Sequence, residues 1–342
     1  MNTSSESIKP TDCDVEYAPT NFSALYAPRG VYMMLNQFGV IDVHGSDAVS
    51  FLHRQLTNNI QTLEADNVRL AGFCSLKGRL LATFLVWRVG NIVRMLVSED
   101  LVELIQKRLS MFILREKVQL INATNSLAVV GFSGDVCATL SQCFEILPNG
   151  VNVKIDTPFG ELIRVIDANR LPRFLWVGPR SAIEERLTAL NTTHQVQQAD
   201  SVLWDWLDIR AGIPRVSAVT SNRFVPQMIN FELIGGVNFH KGCYPGQEVV
   251  ARSQYRGTIK RRTVLAHSTH AHIGAEVFHS ENPIYPCGIV VNSATAAEGG
   301  VDCLVQLKLD TLDTGSIHVG SPRGPMLEFS IINTPVSAQR LK

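Results

Sequence analysis

Beyond Arg262 the chain loses every trace of helical periodicity, and that change restricts its possible folds more than any other feature. Short apolar runs at Thr263–His267, Val277–His279, Ile284–Val291, Asp302–Leu309 and Met326–Ile332 are separated by turn residues. Short, evenly spaced strands with no helix between them are the pattern of a small antiparallel sandwich or barrel. Ahead of Arg262, strands and helices are mixed. Gly39–Val43, Ala71–Trp87 and Ile92–Val97 read as strands, with turns at Lys77-Gly78 and Gly90-Asn91. Val118–Phe132, and Val151–Ile166 broken at Pro158-Phe159-Gly160, read as mostly strand. Ser46 is placed to cap a helix carrying Val49, Leu52 and Leu56, and Ser98 one carrying Leu101, Leu104, Ile105 and Leu109. Ser181 with Glu184 forms a capping-box pattern before Leu187 and Leu190. A fourth helix is expected from Ser201 to Arg210. The fold class predicted is α+β with antiparallel sheets. It divides into a flexible arm over 1–28, an α+β region of two interleaved subdomains over 29–262, and a C-terminal small β-barrel domain over 263–342.

Composition narrows the function classes. Of 342 residues, 45% are apolar and 18% charged, as in a soluble globular protein. The formal net charge is zero, so no global field draws the chain to nucleic acid or a membrane. The longest apolar run, Leu80–Trp87, falls far short of the ~20 residues that a bilayer span needs. Glu6, Asp12, Asp14 and Glu16 make the start acidic, which argues against a secretory or transit peptide. The seven cysteines form no Cys-x-x-Cys pair and no zinc spacing. No metal site is expected, His267, His270 and His272 read as surface residues, and the thiols suit a reducing, cytoplasmic location.

The chemistry concentrates between Lys241 and Arg262. Cys243 sits between Lys241 and Pro245-Gly246-Gln247-Glu248-Val249-Val250, where proline suits a first helical turn. A helix over Val249–Gln254 would point its positive end at the thiol, and the lysine acts in the same direction. Two readings follow: a reactive thiol in a tight loop, or a buried structural cysteine. Arg252, Arg256, Lys260, Arg261 and Arg262, with Tyr255 among them, could track a phosphate backbone. They fit a solvated face or a carboxylate grip as well, and zero net charge favours those. In the fourth helix Val202, Leu203, Trp206 and Ile209 share one stripe. Trp204 projects from the opposite side, between Asp205 and Asp208, where a large ring is unexpected.

Lys241-Gly242-Cys243-Tyr244-x-Gly246-Gln247-Glu248, then Val250-Ala251-Arg252 and Arg256-Gly257, form a long motif. Upstream lie Phe224-Val225-Pro226-Gln227 with Asn230, and Ala211-Gly212-Ile213-Pro214. Gly45-x-Asp47-Ala48, Phe51-Leu52, Gln55-Leu56-Thr57 and Phe73-Cys74 with Lys77-Gly78 extend the pattern toward the start. Together these segments, from about Phe38 to Arg262, resemble the YgfZ family of folate-binding proteins. That family is related to the aminomethyltransferase (T-protein) of the glycine cleavage system.

The resemblance implies an aminomethyltransferase-like folate-binding fold, with a cavity between two α+β lobes closed by the C-terminal domain. It implies tetrahydrofolate or a related folate as cofactor, and iron–sulfur enzymes, including tRNA-thiolating ones, as clients. Cys243 would be the functional thiol, with Lys241 beside it. Phe38, which stands where the family has tryptophan, would contact folate together with Trp204, Gln227, Asn230, Gln247, Glu248 and Arg252. The T-protein's paired aspartates correspond to Ala82 and Thr83, and its pterin-contacting glutamate to Arg210. Aminomethyltransferase activity is therefore disfavoured. Direct tRNA binding is a third, less favoured reading. A permanent cluster normally takes four thiolates, and no such set is visible.

Overall fold

A computed structural model describes residues 21–330 apart from Gln195 and Thr258. Residues 1–20 of the expected arm and 331–332 of the last expected strand lie outside it. Residues 21–28 are not a loose arm. Phe22–Tyr26 form a 3-10 turn that buries Leu25, and Phe22 meets the Trp206 ring edge-on at 5.0 Å.

Among the described residues six α-helices run in chain order: α1 Ala48–Gln55, α2 Val102–Ser110, α3 Cys137–Phe144, α4 Arg180–His194, α5 Val202–Arg210 and α6 Gln247–Tyr255. Three expected caps do not form as read. α1 starts after Asp47, not Ser46, and the Asp47 carboxylate accepts the Lys117 amide at 2.8 Å instead of capping. A 3-10 turn over Glu99–Leu101 precedes α2 and shifts its phase, so Ile105 and Leu109 are buried but Leu104 is exposed. Ser181 falls inside α4, which begins at Arg180. The sequence gives no notice of α3, because its eight residues bury only Thr139 and Leu140.

A six-stranded sheet has the order Gln197–Gln198, Val31–Met34, Leu127–Ser133, Leu171–Pro179, Gly160–Ala168, Val153–Thr157, with only the first pair parallel. Side chains alternate between its faces. Val130, Phe132, Phe174 and Trp176 pack toward α3 and α4, while Val129, Leu175 and Val177 join the main core. Both faces being buried, the strands lack a polar alternation, which is why Leu171–Pro179 did not stand out.

A five-stranded antiparallel sheet has the order Val68–Cys74, Leu80–Val89, Ile92–Ser98, Phe38–His44, Gln119–Asn122. Buried Arg94 ties the two sheets together. It grips Asp42 through two bonds of 2.7 and 2.8 Å and reaches Glu161 on the other sheet at 2.8 Å. Burial raises the Glu161 carboxyl and Arg94 opposes it.

From Arg261 to Ser330 the described residues hold a third antiparallel sheet and no α-helix. The expected strands appear as Arg261–Ser268, Glu276–His279, Asn282–Thr295, Val301–Lys308 and Glu328–Ser330, joined by the unforeseen Ile317–Val319. The sheet curls. The segment that ends in Glu328–Ser330 pairs with the strand at one edge and, through Met326 and Leu327, with Ile317–Val319 at the other. α5 lies between this sheet and the first one, with Leu203, Trp204, Trp206, Leu207 and Ile209 all buried. Among the described residues no helix is long and apolar enough to cross a membrane.

Candidate functional site

The burial of α5 on both sides explains the large ring that Trp204 places opposite the apolar stripe. Its side chain is 2% exposed and turns toward the first sheet, where Gly131 leaves room for it. A Cβ on Gly131 would strike the indole, so the close approach requires that residue. The ring forms part of the wall of a partly open cavity. Phe38, at the start of a strand in the second sheet, lines the same cavity. So do Thr83, Asn152, Arg173, Asp208 and Arg215.

The charged lining was not foreseen from sequence. Arg173, fully buried, donates to Ile166 O at 2.8 Å and to the Asp208 carboxylate at 2.7 Å. Burial raises the Asp208 carboxyl, opposed by Arg173 and Arg215. The Arg173 guanidinium lies over the Trp204 ring at 4.7 Å, and that of Arg215 over Phe38 at 4.8 Å. Arg215 also pairs with Asp205 at 2.9 Å. An available signal was an arginine inside the apolar run Leu171–Val177, since a charge in such a run must be buried with a partner. Thr83, at one expected carboxylate position, accepts the Val216 amide through its hydroxyl at 3.1 Å, and Ala82 is buried. Arg210 turns away from the cavity toward Asp302 at 3.5 Å.

The Lys241–Arg252 motif forms a second centre. Gly246, at φ +78°, immediately precedes α6. The turn packs so tightly on the 75–78 hairpin that a Cβ there would run into the Ser75 carbonyl. Cys243 is exposed in this loop, whereas Tyr244 is buried, and burial raises its phenol. Lys241 is buried, and its ammonium donates to the carbonyls of His53 and of Leu56 (2.8 Å for the latter) at the end of α1. It thus satisfies acceptors that every helix end leaves open. Burial pushes the lysine down to about 8, with Cys243 acting the other way. His53, buried beside Gly242, is lowered first by burial and then by Lys241.

The remaining expected contacts cluster around this loop and do not line the cavity. Gln227 is buried and donates to Val250 O at 2.9 Å, pinning α6. Asn230, in the left-handed region at φ +57°, donates to Thr263 O at 2.7 Å. Gln247 lies 3.5 Å from Lys241 O, and Glu248 pairs with Arg252 at 2.8 Å on the exposed side of α6. Of the five cations from Arg252 to Arg262, Arg261 donates to Cys287 O at 3.0 Å and Arg262 binds Glu232 and Gln227 O. Arg256 and Lys260 are exposed. One hairpin connects the two centres: Gly78 packs on Val249, while Thr83 lines the cavity. Gly78 and Thr83 lie five positions apart along the chain, at most roughly 16 Å.

No family model matches the chain. It is 32% identical over 255 residues to the tRNA-modifying protein YgfZ of Photobacterium profundum, covering 72% of this chain and 74% of that one. It is 31% identical over 235 residues to the tRNA-modifying protein YgfZ of Vibrio vulnificus strain YJ016, covering 68% and 69%. Among solved structures, aminomethyltransferase T of the glycine cleavage system from Bartonella henselae superposes with a TM-score of 0.71 at 14% identity, covering 86% of this chain and 83% of that one. That likeness is one of fold. The sequence relatives match at an identity and coverage that settle descent, and the chain belongs to the YgfZ family.

Proposed function

We propose that this protein binds a reduced folate, tetrahydrofolate or a close relative, and supports tRNA modification through the exposed thiol of Cys243. The observation that carries the folate reading is the meeting of Phe38 and Trp204 on the walls of one cavity. Aromatic walls with a few buried polar groups are what small-molecule sites present. The role in tRNA modification rests on the names of the relatives. Iron–sulfur enzymes are the proposed clients, and the reading places the chain in the cytoplasm. A resident cluster does not fit, since no group of three or more His, Cys, Asp or Glu converges among the described residues. Cys243 would act on a client's cluster or thiol in passing.

Aminomethyl transfer is not proposed. Ala82 and Thr83 offer no carboxylate, and the acid that does line the cavity, Asp208, is paired with Arg173. Nor is direct tRNA binding, because Arg252, Arg261 and Arg262 are engaged within the protein. Calorimetry with tetrahydrofolate tests the reading. Trp204→Ala should weaken binding about tenfold or more, taking stacking of a base on an aromatic ring, ~1–3 kcal/mol, as the guide. Equal affinity in the variant and its parent would remove Trp204 from the site.

A further inference from the structure

Donors on the cavity wall lack an acceptor among the described residues. Nη2 of Arg173 and Nε of Arg215 are buried without a hydrogen-bond partner. An unpaired buried donor is destabilising, the more so when it is charged, and native structures rarely keep one without a use. Neither guanidinium is free to turn away. Arg173 is tethered to Ile166 O and Asp208. The Arg215 guanidinium pairs with Asp205 at 2.9 Å, and its backbone is held by Asn292, whose side chain accepts the Arg215 amide at 3.0 Å and donates to the Arg215 carbonyl at 2.9 Å. Asn292 lies at a register shift in its strand, a local irregularity of the kind that re-aims side chains. The C-terminal sheet therefore sets the position of Arg215 over Phe38.

The two aromatic faces are already covered by guanidinium groups, so an entering ring meets N–H edges as well as π faces. We propose that Arg173 and Arg215 read the acceptor edge of the ligand. The cavity takes a bicyclic pterin-type ring that turns its ring carbonyl toward these donors. It rejects the analogue with an amino group at that edge, because donor would face donor and both would stay unpaired. This inference rests on the folate reading above and assigns the contact that selects among such rings.

The test is calorimetry of the parent protein with tetrahydrofolate, with folic acid and with aminopterin. The last two differ where a ring carbonyl is replaced by an amino group. The carbonyl ligand should bind about tenfold or more tightly, the usual effect of leaving a buried donor unpaired. Arg215→Met keeps an apolar stem over Phe38 and loses the donors. It should weaken folic acid by a similar factor and bring the ratio of the two affinities toward one. Arg215→Lys, which keeps a charge facing Asp205 without the fork, should recover only part of the preference. Binding of none of the three ligands to the parent overturns the folate reading itself. Equal affinity for the two oxidised ligands in the parent overturns the edge readout alone, a result that needs no variant to fold. So does a ratio unchanged in a folded Arg215→Met.

Discussion

At the scale of single residues, the ammonium of Lys241 closes the end of α1 while Cys243, two positions on, faces solvent. The lysine's proton is held less tightly in the folded chain, at about 8 against an ordinary 10.5. Between those values the unfolded chain binds more protons than the native one, so stability rises with pH. The neutral amine still has two hydrogens, enough for both carbonyls. The parent should therefore gain stability relative to Lys241→Met as pH climbs from about 8 toward 10.5, by at most about 3 kcal/mol. Urea midpoints of both proteins across that range would show it, and a constant difference would refute it. The thiols can be ranked as well. Cys74 and Cys303 are buried and pushed up to about 12, whereas Cys137 is exposed like Cys243. Cys137 is thus the informative comparator. Iodoacetamide at neutral pH, mapped by mass spectrometry, should label Cys243 first, Cys137 more slowly and the buried pair only on unfolding. If Cys137 keeps pace, exposure alone explains the labelling and Cys243 has no special reactivity.

At the scale of elements, α5 decides the cavity. Its first stripe was legible as a core face because Leu203, Trp206 and Ile209 recur at helical spacing. The second face was not, since periodicity marks one buried side and α5 has two, between the first and third sheets. Trp204 fits only because Gly131 of the facing strand has no side chain. Gly131→Ala should push the indole into the cavity. Overpacking of this kind costs typically 1–3 kcal/mol, and tetrahydrofolate affinity should fall with it. A melting temperature and an affinity both equal to the parent's would mean the helix yields and the indole position is unimportant.

At the scale of the molecule, Asp302 on the third sheet joins the C-terminal region to α5. It accepts the Trp206 indole N–H at 2.8 Å and faces Arg210 at 3.5 Å and His267 at 2.9 Å. Arg210 thus has its counter-charge in the third sheet. Asp302→Asn keeps the shape and removes that charge, for an expected loss of about 1–3 kcal/mol. Hydrogen exchange should quicken in Arg261–Ser268, Val301–Lys308 and α5 ahead of the Val68–Val89 hairpin. Exchange accelerated equally everywhere would show that the contact stabilises the fold globally and is no joint.

Local pattern settled much of this before any coordinate did. The strand-only stretch after Arg262 rests on turn residues at short intervals, and the 243 loop on the glycine and proline around one cysteine. Each is written in neighbouring residues, so each is legible in order along the chain. The family resemblance also placed Phe38 and Trp204 at one ligand, but gave no sign that Gln227, Asn230, Gln247, Glu248 and Arg252 gather elsewhere. Of the charged lining the sequence offered only Arg173, a charge inside an apolar run, and nothing on Asp208 or Arg215. Their contacts run between strands, a helix and a loop that are distant in the chain, and a buried ion pair exists only where packing removes water from both partners. Tertiary structure alone decided which charges face the cavity, because that depends on which segments exclude solvent together.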